Sequence, residues 1–155
     1  MGQLLFVESC EKENLKKLSK VYLDEISNFD DGVQFDQYGA PIYKWFDFYW
    51  KDKGRYPIYY MLGGKVAGFA LVRKLEVGKY EIAEFFVLKE FRGSGNSLEF
   101  ARLVCSCFCG EIEFSTSIKN KKAVKFWEKF VENFGNVVSY DQNGRRNWRI
   151  KFVDE

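Results

Sequence analysis

The chain has no histidine. A zinc site built on its four cysteines would lack the usual nitrogen ligand, and no thiol has an imidazole to activate it as a nucleophile. Cys10 stands alone, while Cys105, Cys107 and Cys109 fall at i, i+2 and i+4 near the end of one helical pattern, where Cys107 faces away from the other two. Reduced, packed thiols and no bound metal are the expectation. An excess of one charge is missing as well. The 24 Lys and Arg against 22 Asp and Glu leave a net +2, which offers no footprint for bulk nucleic-acid binding. The longest apolar run, Val66–Val72, is far short of the roughly 20 residues that cross a bilayer. Met1-Gly2-Gln3-Leu4-Leu5-Phe6 has no basic segment ahead of its short apolar run, and Phe6 stands where a myristoylation signal wants Ser or Thr. A cytoplasmic protein with no membrane partner is expected. No repeat, low-complexity tract or linker interrupts residues 1–155, which read as a single domain.

The bulk composition is that of a globular chain, 46% hydrophobic and 30% charged, with an unusual 19% of aromatic residues. At 155 residues it can bury roughly two-thirds of its unfolded surface. The organising stretch is Tyr80–Ser97. Tyr80–Leu88 is β-branched and aromatic enough for a buried strand, and Arg92-Gly93-Ser94-Gly95-Asn96-Ser97 is a glycine-rich turn. An apolar helical pattern follows from Leu98 to Phe108. Strand, glycine turn and helix together aim several free backbone N–H groups, and the positive end of a helix dipole, at one spot suited to an anion such as a pyrophosphate. A βα turn also needs glycine for conformational reasons alone, and an Asn96–Glu99 capping box competes for the same residues.

The rest of the chain supplies a frame. Gln3–Val7 reads as a strand, and Ser9 as the N-cap of a helix whose inner face carries Leu15, Leu18, Tyr22 and Ile26. Residues 27–40 form a loop, and Pro41 suits the first turn of a second helix. Six of the eight residues from Tyr43 to Trp50 are aromatic and point all round that helix. One core face cannot absorb them, so some line a neighbouring chain, a loop or a pocket. Asp24, Glu25, Asp30, Asp31 and Asp36 make this region acidic, either to draw in a cation or simply as a solvated loop. Pro57–Leu62 and Lys65–Leu75 form a hairpin around Gly63-Gly64, and Val77-Gly78-Lys79 turns the chain into the central strand. After the Leu98–Phe108 helix and Gly110, Glu111–Ser115 reads as a strand parallel to Tyr80–Leu88; two such strands can splay and leave a slot. A helix from Asn120 with Ala123, Phe126, Phe130 and Phe134 inside stops at Gly135. Asn136–Tyr140 and Arg146–Val153 close the chain around Asn143-Gly144, with Trp148, Ile150 and Phe152 inward. The class is α/β, a mixed α+β sheet, mostly antiparallel with one splayed parallel pair and about four flanking helices.

Phe85-Phe-Val-Leu-Lys-Glu-Phe-Arg-Gly-Ser-Gly95 resembles the acetyl-CoA-binding motif of the GNAT N-acetyltransferase superfamily, whose core is Arg or Gln, two residues, Gly, one residue, then Gly or Ala. Arg92 and Gly95 fit and Ser97 departs. The run from Asn120 resembles the second GNAT motif, Asn-x-x-Ala-x-x-Phe-Tyr, with Trp127 in place of the tyrosine. The likeness extends over nearly the whole chain in element order. Ile82–Leu88, the Phe126-Trp127 pair and the aromatic helix ahead of Gly54-Arg55-Tyr56-Pro57 further resemble a group of bacterial acetyltransferases whose acceptors are undefined.

The resemblance implies direct transfer of acetyl from acetyl-CoA to a primary amine. Backbone groups of Phe86, Val87 and Leu88 would bind the pantetheine, with the Val87 N–H also facing the oxyanion. Amides of Arg92, Gly93, Ser94, Gly95, Asn96 and Ser97 would hold the pyrophosphate, with Asn120, Phe126 and Trp127 beside the coenzyme. Tyr43, Phe46 and Trp50 would wall the acceptor, a small amine, cationic if the acidic loop serves to attract it. Glu84 is the candidate base. Several family members carry the base one position earlier, where this chain has Ala83, and Glu81 and Glu113 stay open, as does a purely structural ion pair for Glu84. An indole at 127 cannot protonate the departing thiolate, and Tyr43 and Tyr140 are substitutes. A CoA-binding sensor that has lost transfer is the alternative function, resting on Ser97 and Trp127. A nucleic-acid surface at Arg145, Arg146 and Arg149 is a weaker one. Dimers are common in the family, so a homodimer stays open.

Overall fold

The alternation of long apolar strands with amphipathic helices resolves, in the computed structural model, into nine strands and four helices among the described residues, 1–152. Seven strands form one sheet: β1 (Gln3–Phe6), β4 (Arg55–Leu62), β5 (Lys65–Glu76), β6 (Lys79–Val87), β7 (Gly110–Ser117), β8 (Val138–Gln142) and β9 (Arg145–Phe152). Their order is β1-β4-β5-β6-β7-β9-β8, and only β6 and β7 run parallel. That one parallel pair needs a crossover, which α3 (Asn96–Ser106) supplies. The expected meander, the Gly63-Gly64 hairpin and the splayed parallel pair are all present. Val153, the expected end of the last strand, lies outside the described residues. Asn143 and Gly144 have φ of 54° and 74°, the two positive values that a type I′ turn demands.

Both sheet faces are covered, which accounts for the near-continuous apolar runs of β5 and β6. α3 and α4 (Lys121–Val131) pack on one face, where Val104, Cys105, Phe130, Trp148 and Ile150 are buried. α1 (Lys12–Ile26) and α2 (Phe48–Lys51) cover the other, where Leu15, Tyr22, Leu23, Phe46, Tyr49 and Phe69 are buried. Helical spacing places Leu15 and Tyr22 on the same inner face of α1. Cys105 is buried and Cys10, Cys107 and Cys109 are exposed. Among the described residues no His, Cys, Asp or Glu cluster suits a metal, and no helix is long and apolar enough to cross a membrane.

Three local expectations are corrected. Ser9 is not a cap: it begins a 3-10 turn, Ser9–Glu11, and α1 starts without a side-chain cap. Pro41 does not open a helix. It lies in β3 (Pro41–Ile42), paired with β2 (Gln34–Phe35), a two-residue ladder in which a missing N–H costs little. The aromatic helix shrinks to Phe48–Lys51 because its rings divide between core and surface. Phe46 and Tyr49 are buried, while Trp45 and Phe48 stay exposed with the Arg55 guanidinium over the rings of Trp45, Phe48 and Tyr49 at 5.7, 5.8 and 5.3 Å.

Candidate functional site

β6 and β7 pair only from Lys79 to Ile82 against Glu111 to Phe114. Beyond that point they separate, and a cleft opens between Ala83–Phe85 on one side and Ser115–Ser117 on the other, with Ala123 and Trp127 of α4 on its wall. A bulge on β6 sits at its throat: Leu71 faces Glu84 and Val72 faces Ile82, so Ala83 is the extra residue. A strand without the bulge would carry Ile82 and Glu84 on the same face. Here Ile82 packs with α3 and α4, while Glu84 crosses to the α1 face.

The ladder also decides which amides are free. Leu88 N–H donates to Ala67 O at 2.8 Å, and Phe86 faces Phe69 two residues along. In an antiparallel pair this alternation turns Phe86 and Leu88 toward β5, and turns the backbone of Phe85 and Val87 toward the split. Of Phe86, Val87 and Leu88, then, only Val87 turns its N–H to the split side of β6, beyond the residues that line the cleft, and Phe85, which lines it, shares that direction. The carbonyl of Val87 is already taken by Arg92 Nε at 2.7 Å.

A second group of free amides follows. Gly93, Ser94 and Gly95 have φ of 94°, 51° and 78°, so three successive peptides turn in the left-handed region before α3 begins. Glycine meets this conformation at no cost, whereas Ser94 holds it against its preference. No acceptor among the described residues meets the N–H groups of Gly93, Ser94, Gly95, Ser97 or Leu98. The expected capping box is absent: Asn96 donates to Phe91 O at 2.9 Å, and Glu99 accepts from Gly2 N at 2.7 Å and Tyr60 Oη at 2.8 Å. Ser97 sits in the open first turn. The Arg92 side chain faces away, pairing with Glu25 at 2.8 Å and lying over Phe86.

Glu84 is the polar centre of the cleft. Its Oε2 accepts from the Tyr22 hydroxyl at 2.6 Å, a contact across 62 positions of sequence. Burial pushes the carboxyl up to about 7, against the opposing pull of the Tyr22 hydrogen bond and the Arg145 guanidinium, with the charges of Asp30 and Glu81 adding to the rise. Burial, then Glu84 itself, drives Tyr22 well above the usual phenol range. The structural ion pair considered for Glu84 is not formed among the described residues. Arg145 is held by Asp30 at 2.9 Å and Ser115 at 3.0 Å, whereas Glu81 pairs with Arg73 at 2.8 Å and Glu113 meets Arg149 at 4.0 Å. Replacing Tyr22 with Phe keeps the ring on Phe69 and Phe86 and removes the donor. The Glu84 titration midpoint is expected to rise by about one unit. A carboxyl-detected NMR titration measures it, and an unchanged midpoint would show that the hydroxyl does not tune Glu84.

The remaining sequence candidates divide. Asn120 caps α4, its Oδ1 accepting from Ala123 N at 3.2 Å, and lines the cleft. Trp127 lines it too, 5% exposed and 4.3 Å from Phe114 between ring centroids. Phe126 stacks on Phe85. Tyr43 borders a second cavity that shares Glu84 and Ile26 with the cleft. Phe46 is packed in the core at 4% exposure, and Trp50 lies against it and donates its indole N–H to Val7 O, so neither borders that cavity. Tyr140 is exposed on the edge strand β8. Arg146 is clamped by Asp141 and Glu128, and Arg149 by Glu111. The sequence reading missed Tyr22, Asp30 and Ser115 as cleft residues; Tyr22 carried only a core signal, since helical spacing says which way it points and not whom it meets.

A family model described as the acetyltransferase (GNAT) family matches residues 20–131. The chain belongs to the GNAT acetyltransferase family. No curated protein matches its sequence. Solved structures agree on the fold of this GNAT protein. An acetyltransferase from Thermus thermophilus superposes with a TM-score of 0.72 at 13% identity, over 98% of this chain and 97% of that one. An aminoglycoside acetyltransferase, AAC(6')-Ib, in complex with coenzyme A gives 0.68 at 14%, over 97% and 95%. A chimera of spermidine N-acetyltransferase SpeG from Vibrio cholerae and hSSAT gives 0.63 at 14%, over 96% of each. The family is one of acetyltransferases, and the aminoglycoside acetyltransferase of this fold holds coenzyme A. The free amides before α3 and the unpaired β6 edge leave backbone donors that could hold a pyrophosphate and an amide-bearing arm.

Proposed function

We propose that this GNAT acetyltransferase acetylates the primary amine of a small acceptor, with Glu84 as the general base. The observation that carries the reading is the position of Glu84. It forms part of the wall common to the β6–β7 cleft and the cavity beside α1, and no cation pairs with it among the described residues. Amides of Gly93, Ser94, Gly95 and Ser97, with Leu98, would hold the pyrophosphate, and the backbones of Phe85 and Val87 would hold the arm. Asn120, Phe126 and Trp127 would flank it.

Acetyl-CoA supplies an acetyl thioester open to direct attack by an amine. The chain has to hold an acyl oxygen, accept a proton from the amine and keep the two partners aligned. Val87 N–H, turned to the split side of β6, would be the donor for the oxygen. An alkyl amine with a pKa of about 10.4 is almost wholly protonated at pH 7, so a base within reach adds on the order of 100-fold or more. A carboxyl poised at about 7 is matched to that task. Trp127 offers no acid, and Tyr22 is committed to Glu84. A thiol with a pKa of about 8.5, like that of cysteine, leaves as the anion.

The indole at position 127, where the resemblance expects an acid, favours one second reading, a CoA-binding sensor with little turnover. A melt titration followed by an amine screen separates the two. Acetyl-CoA at one hundred times its dissociation constant adds about 2.7 kcal/mol of stability, and CoA release with some amine then establishes the enzyme. A saturable shift with no release from any amine would leave the sensor. No shift at all would remove both.

A further inference from the structure

The second cavity, about 200 Å³, has a chemistry at odds with the acidic sequence around it. Its apolar walls are Leu23 and Ile26 from α1, Val33, and Ile42 and Trp45 from the segment that follows β2, beside the uncharged polar side chains of Gln34 and Tyr43. Ile42 and Trp45 stay 42% and 44% exposed at its rim, the kind of open apolar surface that marks a binding site. Among the described residues Glu84 is the only carboxylate that lines it, and the only cation is Lys44, whose Nζ lies 4.8 Å from the Trp45 ring centroid.

None of the other acidic residues nearby lines the cavity, and Asp30, Glu25 and Asp36 are bonded elsewhere. Asp30 holds Arg145, Glu25 holds Arg92, and Asp31 lies 3.9 Å from Lys119. Asp36 folds back on the amides of Tyr38 and Ala40. Asp24 lines a separate depression against Phe86 and Leu88. A polycation entering the cavity would find one carboxylate for its first ammonium and the Lys44 charge facing its second.

We propose that the acceptor is an amphipathic primary monoamine, an apolar ring-bearing body with a single amino group, whose body lies against Ile42 and Trp45 and whose nitrogen reaches Glu84. The inference rests on the N-acetyltransferase reading and narrows its acceptor. The apolar body is buried where the cavity is greasy, and the one charge meets the one carboxylate. A methylene in such a pocket is worth about tenfold or more in kcat/KM, so the walls alone discriminate strongly.

The test is CoA release at saturating acetyl-CoA with 2-phenylethylamine, spermidine and kanamycin as probes, in wild type, Ile42→Asp and Lys44→Glu. Both substitutions fall at exposed positions, and a melt confirms folding. Wild type is expected to favour 2-phenylethylamine over spermidine by at least about tenfold in kcat/KM. Ile42→Asp should lower 2-phenylethylamine turnover, and Lys44→Glu should raise that of spermidine, so each variant narrows the ratio. A wild-type preference for spermidine or kanamycin overturns the inference and leaves the N-acetyltransferase reading standing. A preference for 2-phenylethylamine that neither variant alters overturns this cavity as its source. No release with any of these or a wider set of amines, while acetyl-CoA still raises the melting temperature, overturns the N-acetyltransferase reading and the inference with it.

Discussion

Replacing Glu84 with Gln is expected to lower kcat/KM for the best amine by about 100-fold or more, and to raise the melting temperature above pH 7. The two effects share one cause. The amide keeps the shape of the carboxyl and still accepts from Tyr22, but takes no proton from an ammonium. Wild-type activity should climb with pH through about 7 as Glu84 ionises, and the variant should lose that limb. Tyr22 from α1, Asp30 from the following loop, Arg145 from β9 and Glu81 on β6 act on this titration, so the midpoint belongs to the cluster.

The stability effect runs the other way. The folded carboxyl titrates at about 7 against an ordinary 4.5, so folding favours its neutral form. That contribution is complete below about pH 4.5 and is lost as pH rises through 7. A neutral Gln escapes the loss, which reaches on the order of 3 kcal/mol. Melting curves at pH 5 and pH 8 should thus show little difference at the first and a more stable variant at the second. Equal activity of variant and wild type across pH 7 to 9 would remove Glu84 as the base. A variant no more stable at pH 8 would show that the site does not store this cost.

Gly68→Ala is expected to damage both the sheet and the proposed coenzyme site. Gly68 stands opposite Val87, and a Cβ there would lie 2.2 Å from Phe86 O and 3.0 Å from Val87 Cα. Both atoms are backbone, so no side chain can rotate away. β6 must shift, at a cost of about 1–3 kcal/mol or more, which lowers the melting temperature by roughly 5–10 °C. The displaced strand carries the Val87 N–H, and a misplacement of about 1 Å at a reacting geometry costs on the order of 100-fold. Gly135→Ala, where a Cβ meets nothing within 4 Å, is the control and should stay within about 0.5 kcal/mol. Melts with and without acetyl-CoA measure both effects. If Gly68→Ala melts like wild type and binds acetyl-CoA as tightly, β5 does not set the position of the β6 edge.

Sequence and structure agree most closely where the signal is local. The two glycines of the turn before α3, the Asn143-Gly144 hairpin and the order of strand and helix around them depend on backbone preferences of the residues themselves. Agreement weakens where a residue has more than one way to be satisfied. Asn96 and Glu99 have capping-box spacing, yet Glu99 finds Gly2 and Tyr60, far away in sequence. The aromatic segment from Tyr43 shows by its spacing that one face cannot hold all the rings; it does not say which of Phe46, Trp50, Tyr43 and Trp45 would go inward. The acidic region from Asp24 to Asp36 reads either as a draw for cations or as a solvated loop until carboxylates in it are seen bonded to Arg92, Arg145 and backbone amides.

By itself the sequence determined the class of the sheet, the glycine turn ahead of α3, the single parallel strand pair and the two stretches that resemble the GNAT motifs. Periodicity and turn chemistry act over a few residues and leave a direct trace in the order of amino acids. The tertiary structure alone decided the placement and surroundings of Glu84. Between Ile82 and Val87 nearly every position is apolar, so no alternation marks the bulge at Ala83 that carries Glu84 to the α1 face. The contact with Tyr22, the commitment of Arg145 to Asp30 and the apolar walls around Ile42 are products of long-range packing. The protonation of Glu84 follows from them, because a carboxyl takes its pKa from what surrounds it in space.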